Sequence, residues 1–138
     1  MTLKDRTRQH EGLRLTRYLC PAGHTTIGYG HRLLPGENFQ RITREDAERL
    51  LDRDIQIAKK DAMVIFPEFA DFSQNRQEVL IELLFNLGRP RFLGFKQMIH
   101  AINIDDWNEA AAELLDSKWY GQVGKGRGDL LIKMLREG

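Results

Sequence analysis

From Thr43 to Ala62 the chain alternates apolar and polar residues with a helical period. Ala47, Leu50, Leu51, Ile55, Ala58 and Ala62 share one face, and the pattern stops before Pro67. Thr43 is a natural N-cap, Glu45 and Asp46 suit the first turn, and Ile42 can staple onto Ala47. Ahead of this helix the pattern differs. From Leu13 to Leu34 there are short runs of Leu, Thr, Tyr and Ile broken by Pro21–Gly23, Gly28 and Gly30. That spacing predicts a small antiparallel sheet with a turn at Pro21–Gly23, closed by Pro35–Gly36. Residues 3–11 read as a short helix ended by Gly12, although its face offers almost nothing apolar after Leu3.

Beyond Pro67 the pattern is helical throughout. Ser73 caps a segment whose Val79–Leu87 stretch is apolar nearly all round, as in a buried central helix, and Gly88 ends it. A short helix is expected over Phe92–Ile102. Another opens at Asp105, with Trp107, Ala110, Ala111, Leu114 and Leu115 on one stripe, and a last one covers about Asp129–Arg136. The glycine-rich Gly121–Gly128 reads as a flexible connection between helices. It lacks the spacing of a phosphate-binding loop, and no strand precedes it.

The fold class is therefore α+β, a small antiparallel-sheet lobe joined by a long helix to a mainly helical lobe. The expected divisions of this single domain, residues 1–138, are a β lobe over about 13–42, an inter-lobe helix over about 43–63 and a helical lobe over about 64–138. The N-terminal helix is grouped with the helical lobe.

The net charge of +1 conceals an asymmetry. Residues 1–60 carry 12 basic against 8 acidic side chains, and residues 61–138 carry 9 against 12. A basic half could favour nucleic acid or a cell-wall polymer, but the charges alternate in sign and form no stripe, so a solvated surface is the simpler reading and no nucleic-acid partner is expected. No apolar run approaches the roughly 20 residues that span a bilayer. The polar start, M-T-L-K-D-R-T-R-Q-H, does not read as a secretory signal. A single cysteine rules out an internal disulfide and fits synthesis in a reducing compartment.

Candidate chemistry concentrates in H-E-G-L-R-L-T-R-Y-L-C-P-A-G-H-T-T-I-G-Y-G-H, His10–His31. Glu11, at the end of the first helix, lies near the negative end of the helix dipole, which favours a protonated acid; the alternative is a solvated surface glutamate. Cys20, entering a turn, is expected to be exposed and could act through its thiolate, or be a structural thiol. Thr26 could position a water molecule or simply suit a strand. His10, Cys20, His24 and His31 match no zinc signature, so no metal is expected, and His31 reads as a hydrogen-bonded or ion-paired structural residue.

Together these residues resemble the phage-type (T4-like) lysozymes, the endolysin family. Its catalytic pattern is Glu, eight residues, Asp or Cys, five residues, Thr, and Glu11, Cys20 and Thr26 fit it within E-G-L-R-L and T-I-G-Y-G-H. I-T-R-E-D-A-E-R-L-L-D-R-D resembles the inter-lobe helix. F-N-L-G, W-N-E-A-A and S-K-W-Y resemble parts of the helical lobe. The resemblance spans about residues 3–135. It implies hydrolysis of the β-1,4 bond between N-acetylmuramic acid and N-acetylglucosamine in peptidoglycan, without cofactor.

In that reading Glu11 protonates the leaving oxygen, Cys20 activates water or stabilises developing positive charge, and Thr26 holds the water. Arg32 and Phe85 are implied glycan contacts in the cleft between lobes, and the Arg127 region is an implied partner facing Glu11. The protein would act as a monomer on glycan strands, after synthesis in the bacterial host cytoplasm and release. Rival readings are a lytic transglycosylase, which cuts the same bond but leaves an anhydro product, and a non-catalytic wall-binding module.

Overall fold

A computed structural model describes residues 1–138. It contains eight α-helices and one three-stranded antiparallel sheet of order β1-β2-β3. The chain divides into two compact units, Met1–Ala58 and Lys59–Gly138. The α+β class expected from the sequence is the class observed.

The first unit begins with α1 (Leu3–Glu11), capped by a reciprocal pair between Thr2 and Asp5 and closed by Gly12 at φ +71°. The sheet follows: β1 (Arg14–Leu19), β2 (Thr25–Gly28) and β3 (His31–Arg32). The β1–β2 turn falls at Pro21–Gly23, as the sequence predicts, where the Gly23 N–H donates to the Cys20 carbonyl at 2.8 Å. Residues Tyr18, Thr26 and Arg32 are paired in register across the three strands. Helix α2 (Arg44–Ile65) starts at the Thr43 cap, whose hydroxyl accepts from the Asp46 N–H at 3.1 Å. Its Ala47, Leu50 and Leu51 are buried, along with Ile27 and Ile42.

Polar contacts dock α1 onto α2. Arg8 donates two hydrogen bonds to the Glu48 carboxylate, at 2.8 Å and 2.7 Å, and Lys4 pairs with Glu48 at 3.2 Å and Asp52 at 2.6 Å. Arg6 and Thr7 are buried on the same helix, with the Thr7 hydroxyl donating to the Leu3 carbonyl. This is how a helix without an apolar stripe is held: part-exposed Lys4 and Arg8 tie it to carboxylates on α2, and its buried polar groups bond to carbonyls of its own segment.

The second unit is helical. After a short 3-10 turn at Phe69–Asp71 comes α3 (Gln74–Leu87), capped by Ser73 and buried along Val79–Leu84 as expected. Then follow α4 (Arg89–Phe92), α5 (Lys96–Asn103), α6 (Trp107–Leu115), α7 (Lys118–Val123) and α8 (Lys125–Glu137). An aromatic cluster of Phe66, Phe72, Phe92 and Trp107 packs edge to face, the tightest pair being Phe72–Trp107 at 4.8 Å between ring centroids. Arg76 lies over Trp107 at 4.3 Å and donates to the carbonyls of Leu135 and Arg136, which closes the end of α8.

Four local expectations are corrected. Phe92–Ile102 is not one helix: Leu93–Phe95 form a turn, in which the Gly94 N–H reaches back to the Arg91 carbonyl. Asp106, not Asp105, caps α6; Asp105 takes φ +62° and accepts from the Trp107 indole at 2.6 Å. Leu115, placed on the buried stripe by its spacing, is exposed. The glycine-rich Gly121–Gly128 is also no flexible connection. All of it is helical except Gly124, the joint at φ +88°. Gly128 is small for a packing reason, since a Cβ there would meet the Tyr120 ring at 2.6 Å.

Candidate active site

Glu11 is the last residue of α1, and the positive-φ Gly12 turns the chain directly into β1. Its carboxylate lies against the β2–β3 turn. A Cβ built on Gly30 would come within 2.7 Å of Glu11 Oε2, so any side chain there would push the carboxylate out of this position. Gly30 also has φ +73°, a conformation only glycine takes readily. In the sequence Gly30 marks only a break between strands of the predicted sheet; its closeness to Glu11 emerges with the fold.

The sheet register gathers the next three candidates. Directly paired residues of antiparallel strands present side chains to the same face, so Tyr18, Thr26 and Arg32 form one row. Cys20 follows Tyr18 by two residues and belongs to the same face. Its N–H donates to the His24 carbonyl at 2.9 Å, which extends the ladder into the turn. Cys20 and Thr26 are thereby diagonal neighbours, with Arg32 beyond Thr26.

Cys20 is half-buried rather than exposed as expected. Burial pushes its thiol pKa up. Hydrogen bonds from the backbone N–H groups of His24 and Ala22, one from the Thr26 hydroxyl, and the positive charge of Arg32 together outweigh burial and hold it below its ordinary value. Thr26 is buried, and its hydroxyl also donates to the His24 carbonyl at 2.8 Å. With a single proton, that hydroxyl serves the carbonyl or the sulfur, one at a time.

Tyr18 links this row to Glu11. Its phenol pKa is raised, first by burial and then by the negative charges of Glu11 and Cys20, with Arg14 opposing. The Arg14 guanidinium sits 4.7 Å above the Tyr18 ring. Glu11 and Cys20 therefore both act electrostatically on one aromatic side chain of the first unit.

His31, on β3, is a structural residue as the sequence suggested. Buried, it engages Asp54 on α2 through Nδ1 at 2.7 Å and Glu37 through Nε2 at 2.8 Å. Burial disfavours its charged form, but the two carboxylates prevail and raise its pKa above the ordinary value. Phe85 and Arg127 belong to the second unit, Phe85 half-buried on α3 and Arg127 half-buried on α8.

A glutamate set at a helix end beside a small sheet, with a thiol, a threonine and an arginine on one sheet face, is a cluster able to deliver a proton and present a negative charge. The phage lysozyme family model matches residues 8–133. An endolysin of Acyrthosiphon pisum secondary endosymbiont phage 1 is 35% identical over 114 residues, covering 81% of this chain and 73% of its own length. The endolysin of Salmonella phage P22 is 30% identical, over 96% of this chain and 89% of its own. Probable T4-type lysozyme 1 of Dictyostelium discoideum is 25% identical, over 99% and 95%. The chain belongs to the phage lysozyme family. It is accordingly a glycoside hydrolase of the lysozyme type, as the resemblance in the sequence implied.

Proposed function

We propose that this endolysin cleaves the β-1,4 bond between N-acetylmuramic acid and N-acetylglucosamine with Glu11 as general acid and Cys20 as the second group. The observation that carries the reading is the arrangement of Cys20, Thr26 and Arg32 on one sheet face, in the same compact unit as Glu11. The Glu11 proton passes to the glycosidic oxygen as the bond to the anomeric carbon breaks. Positive charge then develops on the ring, and a negative group nearby lowers the energy of that state.

The Cys20 thiolate meets this need and accepts a proton from the attacking water, while the water oxygen bonds to the anomeric carbon. Thr26 positions the water. With its own proton donated to the His24 carbonyl, its hydroxyl oxygen accepts one hydrogen of that water and leaves the other for Cys20. Arg32 and Phe85 serve as glycan contacts. The protein works as a monomer on peptidoglycan strands after synthesis in the bacterial host cytoplasm and release to the wall. No helix is long and apolar enough to cross a membrane.

The test is turbidity loss on purified walls, with mass analysis of the fragments. Glu11→Gln keeps the shape and removes the acidic proton, so activity should fall by about 10²–10⁴-fold. Cys20→Asp should keep much of the activity, because aspartate is ionised at neutral pH, and Cys20→Ala should lose more. Fragments carrying the mass of an added water are expected; anhydro products would identify a transglycosylase. Full activity in both Glu11→Gln and Cys20→Ala would refute the assignment.

A further inference from the structure

The β2–β3 turn that carries Gly30 has little stiffness of its own. Glycines stand at both its ends: Gly28 at φ +67°, packed towards Ile42 and Ala47, and Gly30 at φ +73°, against the Glu11 carboxylate. Strand β3 is only two residues long, so few ladder bonds fix the chain that leaves the turn. The side chain of His31, the residue after Gly30, does more. Its Nδ1 meets Asp54 on α2 at 2.7 Å, and its Nε2 meets Glu37 at 2.8 Å. The Glu37 oxygen that takes His31 also accepts the Leu34 N–H at 2.7 Å, and the Glu37 N–H returns to the Leu34 carbonyl at 3.0 Å. Glu37 thereby closes a turn of its own and ties it to the imidazole.

A neutral imidazole has one N–H and donates to one carboxylate; holding two at once takes the protonated ring. The charged groups around His31 are Asp54 and Arg53 from α2, Glu37 from the loop after β3, Arg32 beside it on β3, and Glu11 from α1 across Gly30.

We infer that Glu37 is a positioning residue for the reaction: with Asp54 it grips protonated His31 from two sides and so braces the β2–β3 turn on which the Glu11 carboxylate rests. This deepens the function proposed above and rests on Glu11 being the general acid. Without the Glu37 carboxylate the ring swings about its bond to Asp54, Gly30 moves with it, and Glu11 loses its seat. Burial works against the charge on His31 and the two carboxylates restore it, so losing one of them also releases the proton at lower pH.

Turnover and KM are measured on soluble peptidoglycan fragments for the wild type, Glu37→Ala, Glu37→Gln and Glu11→Gln, at a temperature where circular dichroism shows each variant folded. At about pH 6, below the ordinary histidine value of 6.5, Glu37→Ala should lose about tenfold in kcat with KM little changed. Glu37→Gln keeps an oxygen for both N–H groups and should recover most of that turnover. Its His31, titrated by NMR, should lose its proton about one pH unit lower than in the wild type. The ratio of Glu37→Gln to wild-type kcat cancels the ionisation of Glu11, common to both, and should fall as pH passes through that lower titration.

An undiminished kcat in Glu37→Ala, a loss confined to KM, or a ratio that stays flat through the His31 titration each overturns the inference. If Glu11→Gln is inactive in the same assay, the general acid stands and only the part given to Glu37 falls. An active Glu11→Gln removes both.

Discussion

Gly30 combines a left-handed backbone with close approach to the Glu11 carboxylate, and both favour a missing side chain. With φ +73° and Glu11 Oε2 at 2.7 Å from where a Cβ would stand, alanine there strains the turn and pushes the carboxylate aside. Displacing a reacting group by about 1 Å costs on the order of 10²-fold in rate. Gly30→Ala should therefore lower lytic turnover by about 10- to 100-fold while the circular dichroism of the protein stays that of a folded chain. Unchanged turnover would mean that the Glu11 carboxylate is not working where it rests. Gly128 is a parallel case in the second unit: its bareness makes room for the Tyr120 ring, whose hydroxyl donates to Asp129 at 2.6 Å.

At the scale of elements, α1 and α3 are held in opposite ways. Glu48 receives Arg8 and Lys4, and the hydrogen bonds from Arg8, chiefly, take its pKa down to about 2. Glu48→Gln weakens this clamp by removing the charge. Given how much of the pair solvent screens, the loss should be about 1 kcal/mol in urea unfolding. Because Glu11 ends α1, lytic activity should fall as well, even though Glu48 is no candidate for the chemistry. Helix α3 depends instead on apolar burial. Leu84, only 3% exposed, should cost about 2–5 kcal/mol when truncated to alanine. A change below about half a kcal/mol would contradict its burial in the core.

For the whole molecule, these charges shape stability against pH. The His31 pKa is raised in the folded protein, so the proton binds the folded state more tightly than the unfolded chain. The stabilisation is complete below the ordinary histidine value of 6.5 and is lost as pH rises through the raised one. For Glu48 and Glu37 the sign reverses. Their carboxyls are depressed, so the stabilisation holds above the ordinary value of 4.5 and fades as pH falls below it. Melting temperature should therefore decline as pH rises above 6.5 and through the raised His31 value, and His31→Asn should flatten that decline. An equally steep decline in His31→Asn would exclude the Asp54–His31–Glu37 group as its source.

Periodicity and punctuation were enough to set out the α+β plan. The Thr43 cap, the stripe from Ala47 to Ala62, the turn at Pro21–Gly23 and the buried run Val79–Leu87 are all local features, since caps, turns and amphipathic spacing act over a few residues. Glu11, Cys20 and Thr26 were brought together by the resemblance to the phage lysozyme pattern; two-residue alternation around one turn accounts only for Cys20 and Thr26 sharing a sheet face. What the sequence could not disclose depends on partners far along the chain. Why α1 packs without an apolar stripe is answered 40 residues on, at Glu48. Why Gly30 must be bare is answered by a carboxylate on another element, and why Gly128 must be bare by an aromatic ring. The glycine-rich stretch misled because low helix propensity, a local cost of about 1 kcal/mol per glycine, was outweighed by packing that only the folded chain provides. The resemblance implied Arg32 as a glycan contact; the fold adds that it pairs with Thr26 in one row with Tyr18, because strand register is decided by the sheet as a whole and not by any one strand.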